Sequence, residues 1–235
     1  MPIKYEKFER IILYEDNHLL AVNKPSGMLT QGDITGDPSL PDYVAEFIKI
    51  RDQKPGNVFV GVIHRIDRPS TGCVLLAKTS KGLSRMNALL RDKKIRKTYL
   101  ILTDRCPDEL VGTLTHHVRK TDKTNRLIVK DIPFKSSKKA ILNYQLLAQI
   151  AGNYLFEIEL ITGRSHQIRA QFAHLNCPIL GDKRYGSRFK KDPMLYLHCS
   201  KMTFEHPIKN IPIIIQAPLP NDGKWRLFSD FRLHV

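Results

Sequence analysis

No two cysteines in this 235-residue chain are spaced C-x-x-C; Cys73, Cys106, Cys177 and Cys199 are scattered. A zinc cluster and a redox dithiol therefore lack sequence support, and free buried thiols are expected. The adjacent His116 and His117 fall on an expected strand, where neighbouring side chains point to opposite faces and make a poor shared metal site, so no metal is expected. Long apolar runs are also missing. Stretches such as Ile211 to Ile215 fall far short of the roughly 20 residues a membrane-spanning helix needs. No apolar segment between Met1 and Arg10 could serve as a signal peptide, so the expectation is a cytoplasmic protein with no membrane partner. Acidic residues are scarce: 23 Asp and Glu stand against 38 Lys and Arg, giving a formal charge of +15 and a pI near 9.7. Such a surface attracts polyanions.

The basic residues gather at Lys93-Lys94-Arg96-Lys97, Arg119-Lys120-Lys123-Arg126, Lys135-Lys138-Lys139 and Lys183-Arg184-Arg188-Lys190-Lys191. Several separate clusters with a large net excess favour nucleic acid over a merely solubilising surface. No basic amphipathic helix argues for a membrane surface.

The chain opens with two short apolar runs, 11–14 and 18–22, separated by Glu15-Asp16-Asn17, which predict a hairpin. Ser39 is placed to cap a helix with Leu40, Val44, Phe47 and Ile48 on one face, and Ser80 to cap another with Leu83, Met86 and Leu90. Between them, 58–63 and 73–77 read as strands around a polar loop. Alternating segments at 97–102, 112–118, 126–130, 140–149 and 154–161 predict antiparallel strands. A third helix is expected to start near Ser165 and stop at Asn176-Cys177-Pro178, with strands again at 195–199 and 211–216. With no repeat, low-complexity segment or long linker, 1–235 reads as one α+β domain built on a large, mainly antiparallel sheet with flanking helices.

The densest polar stretch is His64-Arg65-Ile66-Asp67-Arg68-Pro69-Ser70-Thr71-Gly72, set between two apolar strands. Rigid flanks suit a site, although Asp followed by Arg, Pro and Gly is also what a plain turn looks like. A kinase loop is excluded by Ile66 and by the missing Asp-Phe-Gly, and nucleotide hydrolysis by the missing G-x-x-x-x-G-K-[ST]. Ser70 with His64 could form a serine hydrolase pair, but no G-x-S-x-G elbow accompanies them.

Over nearly its whole length the chain resembles the RluA family of RNA pseudouridine synthases. Ile12-Leu13-Tyr14-Glu15-Asp16 through Asn23-Lys24-Pro25-Ser26-Gly27 resembles the family's opening strands, and His64 to Gly72 with Leu75-Leu76-Ala77-Lys78-Thr79 its catalytic-Asp motif. Arg96-Lys97-Thr98-Tyr99 resembles the tyrosine motif. Thr162-Gly163-Arg164-Ser165-His166-Gln167-Ile168-Arg169, running on to Pro178-Ile179-Leu180-Gly181-Asp182, resembles a third motif, and Leu197-His198 with Phe204-Glu205-His206-Pro207 a fourth. Ile66 replaces the usual Leu and Ser70-Thr71 the commoner Thr-Ser, changes that keep size and hydroxyls. Many relatives carry a further N-terminal RNA-binding domain, whereas here the first strand begins about ten residues in, so the catalytic domain and its basic loops are expected to do the recognising.

The resemblance implies an isomerase that needs no cofactor and acts as a monomer on structured RNA, ribosomal or transfer. It implies Asp67 as nucleophile or general base, Arg169 as the cation keeping Asp67 ionised, and Tyr99 against the substrate base. On a helix Arg169 stands about 100° from Ile168, so an apolar face and an inward guanidinium are compatible. A uridine inside folded RNA must be everted to react, and Arg65 is the candidate to fill the vacated stack. His64 and Leu197 complete the expected substrate contacts. The rival to an enzyme is an RNA-binding or ribosome-assembly protein on the same fold.

Overall fold

Alternation of apolar and polar residues produces strands that pair antiparallel, and three helices cover their faces. A computed structural model describes residues 8–121, 126–189 and 194–229. The elements run β1 (Ile12–Glu15), β2 (Leu19–Lys24), α1 (Leu40–Arg51), β3 (Gly61–Val62), β4 (Thr71–Ala77), α2 (Ser80–Arg91), β5 (Arg96–Thr103), β6 (Val111–Lys120), β7 (Leu127–Lys130), β8 (Lys138–Ile150), β9 (Asn153–Leu160), α3 (Gln167–His174), β10 (Leu197–Glu205) and β11 (Pro212–Gln216). Short 3₁₀ turns lie at Lys183–Tyr185 and Gly223–Phe228. The expected α+β class holds. The chain divides into two compact units, one comprising Met1–Arg96 and Cys199–Pro218, the other Lys97–His198 and Leu219–Val235.

In the first unit β2 pairs β1 and β4, β3 pairs β4, and β11 pairs β10. Every residue of β4 is buried, consistent with its unbroken apolar run. α1 buries Leu40, Val44, Phe47 and Ile48 as their spacing predicts. Its start is fixed by Ser39, whose backbone N–H and hydroxyl both donate to the Asp42 carboxylate at 2.7 Å.

Two local expectations need correction. α2 is capped by Thr79 rather than Ser80: the Thr79 hydroxyl accepts the Gly82 N–H at 3.1 Å and also meets His18 Nδ1 at 3.0 Å, a tertiary partner that selects between two adjacent hydroxyls. Of the run 58–63 only Gly61–Val62 joins the ladder, and Phe59 is exposed.

Gly72 decides how closely β4 can be approached. Its φ is +107°, and a Cβ there would lie 2.6 Å from the Cys199 nitrogen and closer still to that residue's carbonyl oxygen. Both the backbone conformation and the approach of β10 therefore require glycine. Gly72→Ala is expected to cost about 2–4 kcal/mol of stability, read from the midpoint of a urea denaturation curve. A variant matching the parent midpoint would show that the two strands separate freely.

In the second unit β9 pairs β5 and β8, β8 pairs β6, and β6 pairs β7. The β8–β9 link is a two-residue hairpin, Ala151 and Gly152, both with positive φ (48° and 69°), as a type I′ turn requires. α3 starts at Gln167, two residues later than expected, because His166 holds a left-handed backbone (φ 56°) incompatible with a helical turn. The Gln167 amide oxygen closes the start by accepting from the Arg164 N–H at 3.0 Å and the Thr162 hydroxyl at 2.8 Å. All six residues from Gln167 to Phe172 are buried, so Gln167, Arg169 and Gln171 must find polar partners inside the protein.

Candidate active site

The loop joining β3 to β4 carries Asp67, which is half-buried. Its backbone is tied on both sides. Ile66 O accepts from the Thr30 hydroxyl at 2.8 Å, Arg68 O from the Gly27 N–H at 2.9 Å, and Pro69 O from the Ser26 hydroxyl at 3.0 Å. A turn closes from Ser70 N–H to Asp67 O at 2.9 Å. Four carbonyls around one carboxylate are thus fixed, three of them by the segment after β2, which leaves Asp67 little freedom of position.

Lys24, quoted above only within the opening motif and given no role there, adds a second clamp. Its side chain is fully buried, and the ammonium donates to the carbonyls of Pro25 (2.9 Å), Met28 (3.0 Å) and Arg68 (3.1 Å). Burial pushes its pKa down to about 7, while the Asp67 charge pulls it upward and Arg68 opposes that pull. Asp67 therefore has a cation in its own unit. The only sequence signal was a lysine between an apolar strand and a Pro-Ser-Gly turn, a context that more often exposes lysine.

Arg65 is exposed, with one long contact of 3.4 Å to Gln31. Arg68 instead is committed to the loop, donating to Gly27 O at 2.9 Å and pairing with Asp37 at 2.8 Å. His64 is buried, and its Nε2 accepts the Leu75 N–H at 3.0 Å. A hydrolase reading of Ser70 and His64 fails on this geometry, because the base nitrogen is occupied by backbone and Ser70 is itself buried.

In the second unit, Tyr99 lies on β5 opposite Ile158 of β9 and is 6% exposed. Leu197, at the start of β10, is equally buried. Arg169 on α3 is 6% exposed and makes a bidentate pair with Asp182: Nε to Oδ2 is 2.7 Å, and Nη2 to Oδ1 is 2.8 Å. Two parallel charge-assisted bonds fix the plane of the guanidinium. Asp182, essentially unexposed, also accepts the Tyr185 N–H at 3.2 Å, and the Tyr185 ring lies 5.3 Å from the centre of the guanidinium. The Tyr185 hydroxyl in turn accepts the Leu127 N–H at 2.9 Å and meets His166 Nδ1 at 3.2 Å. Sequence reasoning quoted Asp182 within a motif but gave it no role, and it missed Tyr185 entirely. The signal was an acidic residue following a run of buried apolar ones.

Among the described residues, Lys93, Lys94, Arg96, Arg119, Lys120, Arg126, Lys135, Lys138, Lys139, Lys183, Arg184 and Arg188 are exposed, so the expected basic clusters are on the surface. Lys123, Lys190 and Lys191 lie outside the described residues. No helix among the described residues is long and apolar enough to cross a membrane.

Comparison places this fold and loop in a known class. The human protein "RNA Pseudouridylate Synthase Domain Containing 4" has the same fold, with a TM-score of 0.75 at 22% identity over 92% of this chain and 91% of that one. Residues 18–174 match the family described as RNA pseudouridylate synthase. Among curated proteins, "Ribosomal large subunit pseudouridine synthase C" of Buchnera aphidicola subsp. Baizongia pistaciae is 34% identical over 221 residues, 90% of this chain and 68% of that protein. The protein of the same name from Rickettsia felis is 31% identical, covering 89% and 67%. The chain belongs to the RNA pseudouridylate synthase family. It is an isomerase: it breaks the bond from uracil N1 to the ribose and rejoins the base through C5, which gives up its proton. The non-catalytic reading is thereby set aside.

Proposed function

We propose that Asp67 is the catalytic carboxylate, acting on a uridine everted from a structured ribosomal RNA of the large subunit. The observation that carries this reading is the clamped loop: four backbone carbonyls beside Asp67 are held while its carboxylate stays half-buried, and exposed Arg65 lies two residues away. A guanidinium can stack and pair with phosphate, so Arg65 is suited to the gap the everted base leaves. Tyr99, Arg169 and Leu197 serve the same reaction, as ring against the base, buried cation and apolar wall. In this arrangement His64 supports substrate binding by fixing the loop through Leu75. The choice of ribosomal RNA is supported by the names of the relatives from Buchnera and Rickettsia.

The test is release of tritium from uracil C5 when the enzyme meets unmodified ribosomal RNA or unmodified transfer RNA. Turnover on the former alone is expected; turnover on transfer RNA alone would reassign the substrate. Binding is expected to weaken steeply with salt, since each neutralised phosphate releases counterions. A footprint of six to ten phosphates loses about 10³–10⁵ in affinity between roughly 50 and 200 mM salt. A flat response in a filter-binding titration would exclude so broad a contact.

A further inference from the structure

Away from the catalytic loop, three potential ligands from three elements converge: His116 on β6, Asp131 just after β7 and His174 at the end of α3. Their ligand atoms all lie within 4.8 Å of one another. His174 Nε2 is 3.0 Å and His116 Nε2 3.5 Å from the same carboxylate oxygen, Asp131 Oδ1, and the two rings meet edge to face with centroids 4.9 Å apart. A tetrahedral zinc ion with bonds of roughly 2.0–2.1 Å keeps neighbouring ligand atoms about 3.3 Å apart, a separation the two measured edges bracket. We propose that His116, Asp131 and His174 form a binding site for a borderline divalent transition metal such as Zn²⁺ or Co²⁺, with water as the remaining ligand. Two imidazoles and a carboxylate suit that class of ion better than Mg²⁺ or Ca²⁺, which take oxygen ligands. Asp131 is 78% exposed, so the ion has an entry route from solvent, whereas His116 is 9% exposed and anchors the inner side. Bound metal would tie the end of α3, the helix carrying Arg169, to the β6–β7 hairpin.

Gln171 supplies an independent observation. It is fully buried, its amide lies 2.9 Å from His116 Nδ1, and among the described residues its amide oxygen has no hydrogen-bond partner. An imidazole that gives its Nε2 lone pair to a metal carries its proton on Nδ1 and needs an acceptor there. A half-turn of the Gln171 carboxamide presents its oxygen to that proton. The turn gives up two long contacts, 3.4 Å each, to the carbonyls of Leu114 and Ala140, and gains one bond to a metal-polarised N–H.

The same three residues could share only a proton, and the experiment separates the two cases. The full chain, stripped with chelator and dialysed, is titrated with Zn²⁺ by calorimetry and with Co²⁺ by visible absorption. The expected result is one saturable site with the intense absorption of four-coordinate cobalt, lost in the doubly substituted His174→Ala/Asp131→Asn chain and kept in His117→Ala. Gln171→Leu is expected to weaken binding about 10- to 100-fold, and circular dichroism checks that each variant folds. Absence of saturable binding, or equal binding by the double variant, overturns the proposal.

Discussion

Asp67→Asn is expected to fold, to bind RNA as tightly as the parent and to lose about 10²–10⁴-fold in turnover. Asparagine keeps the shape of the side chain and one acceptor oxygen but has neither the charge nor the basicity on which the role proposed for Asp67 depends. Folding should survive because the clamps around this position act on backbone carbonyls: Thr30 on Ile66, Gly27 and Lys24 on Arg68, and Ser26 on Pro69. A change in stability within about 1 kcal/mol follows. Lys24 would lose the negative charge that pulls its pKa upward, and with burial unopposed the amine would stay neutral over a wider pH range. Tritium release from uracil C5 measures the reaction directly, because the new carbon–carbon bond cannot form while C5 keeps that hydrogen. Parent-like release by a correctly folded Asn variant would remove Asp67 from the chemistry.

The strands were legible wherever alternation or β-branched residues dominated, and α1 was legible because Leu40, Val44, Phe47 and Ile48 repeat at helical spacing. The loop carrying Asp67 was legible as a loop because a dense polar stretch stands between two apolar strands. What escaped were polar groups whose partners are set by tertiary structure. Lys24 looks like a surface residue until three carbonyls are folded around its ammonium. Arg169 has a bidentate partner the sequence did not suggest, Asp182, 13 positions along the chain across a turn that no periodicity describes. The late start of α3 depends on a left-handed His166, a conformation that a non-glycine residue adopts only where surrounding contacts hold it. Thr79 outcompetes Ser80 as a cap through His18, which lies 61 residues away.

The Arg169–Asp182 pair allows stability and catalysis to be separated. Both side chains are almost wholly buried, so Asp182→Ala leaves a guanidinium without its bidentate partner and removes one of the two Asp182 oxygens that accept the Tyr185 N–H, the backbone carbonyl remaining. Breaking one side of such a pair costs about 3–5 kcal/mol, readable as a shift of the urea midpoint. Replacing both charges with apolar groups of similar size, Arg169→Met with Asp182→Leu, removes the uncompensated ion and is expected to recover most of that loss. If Arg169 only held α3 in place, the double variant would regain activity along with stability. If its charge serves the reacting uridine, the double variant will be folded and stable yet almost inactive, with kcat reduced far more than RNA affinity. Recovery of turnover in step with the melting curve would reduce Arg169 to a structural cation. Persistent inactivity in a restored fold would place its charge in the reaction itself.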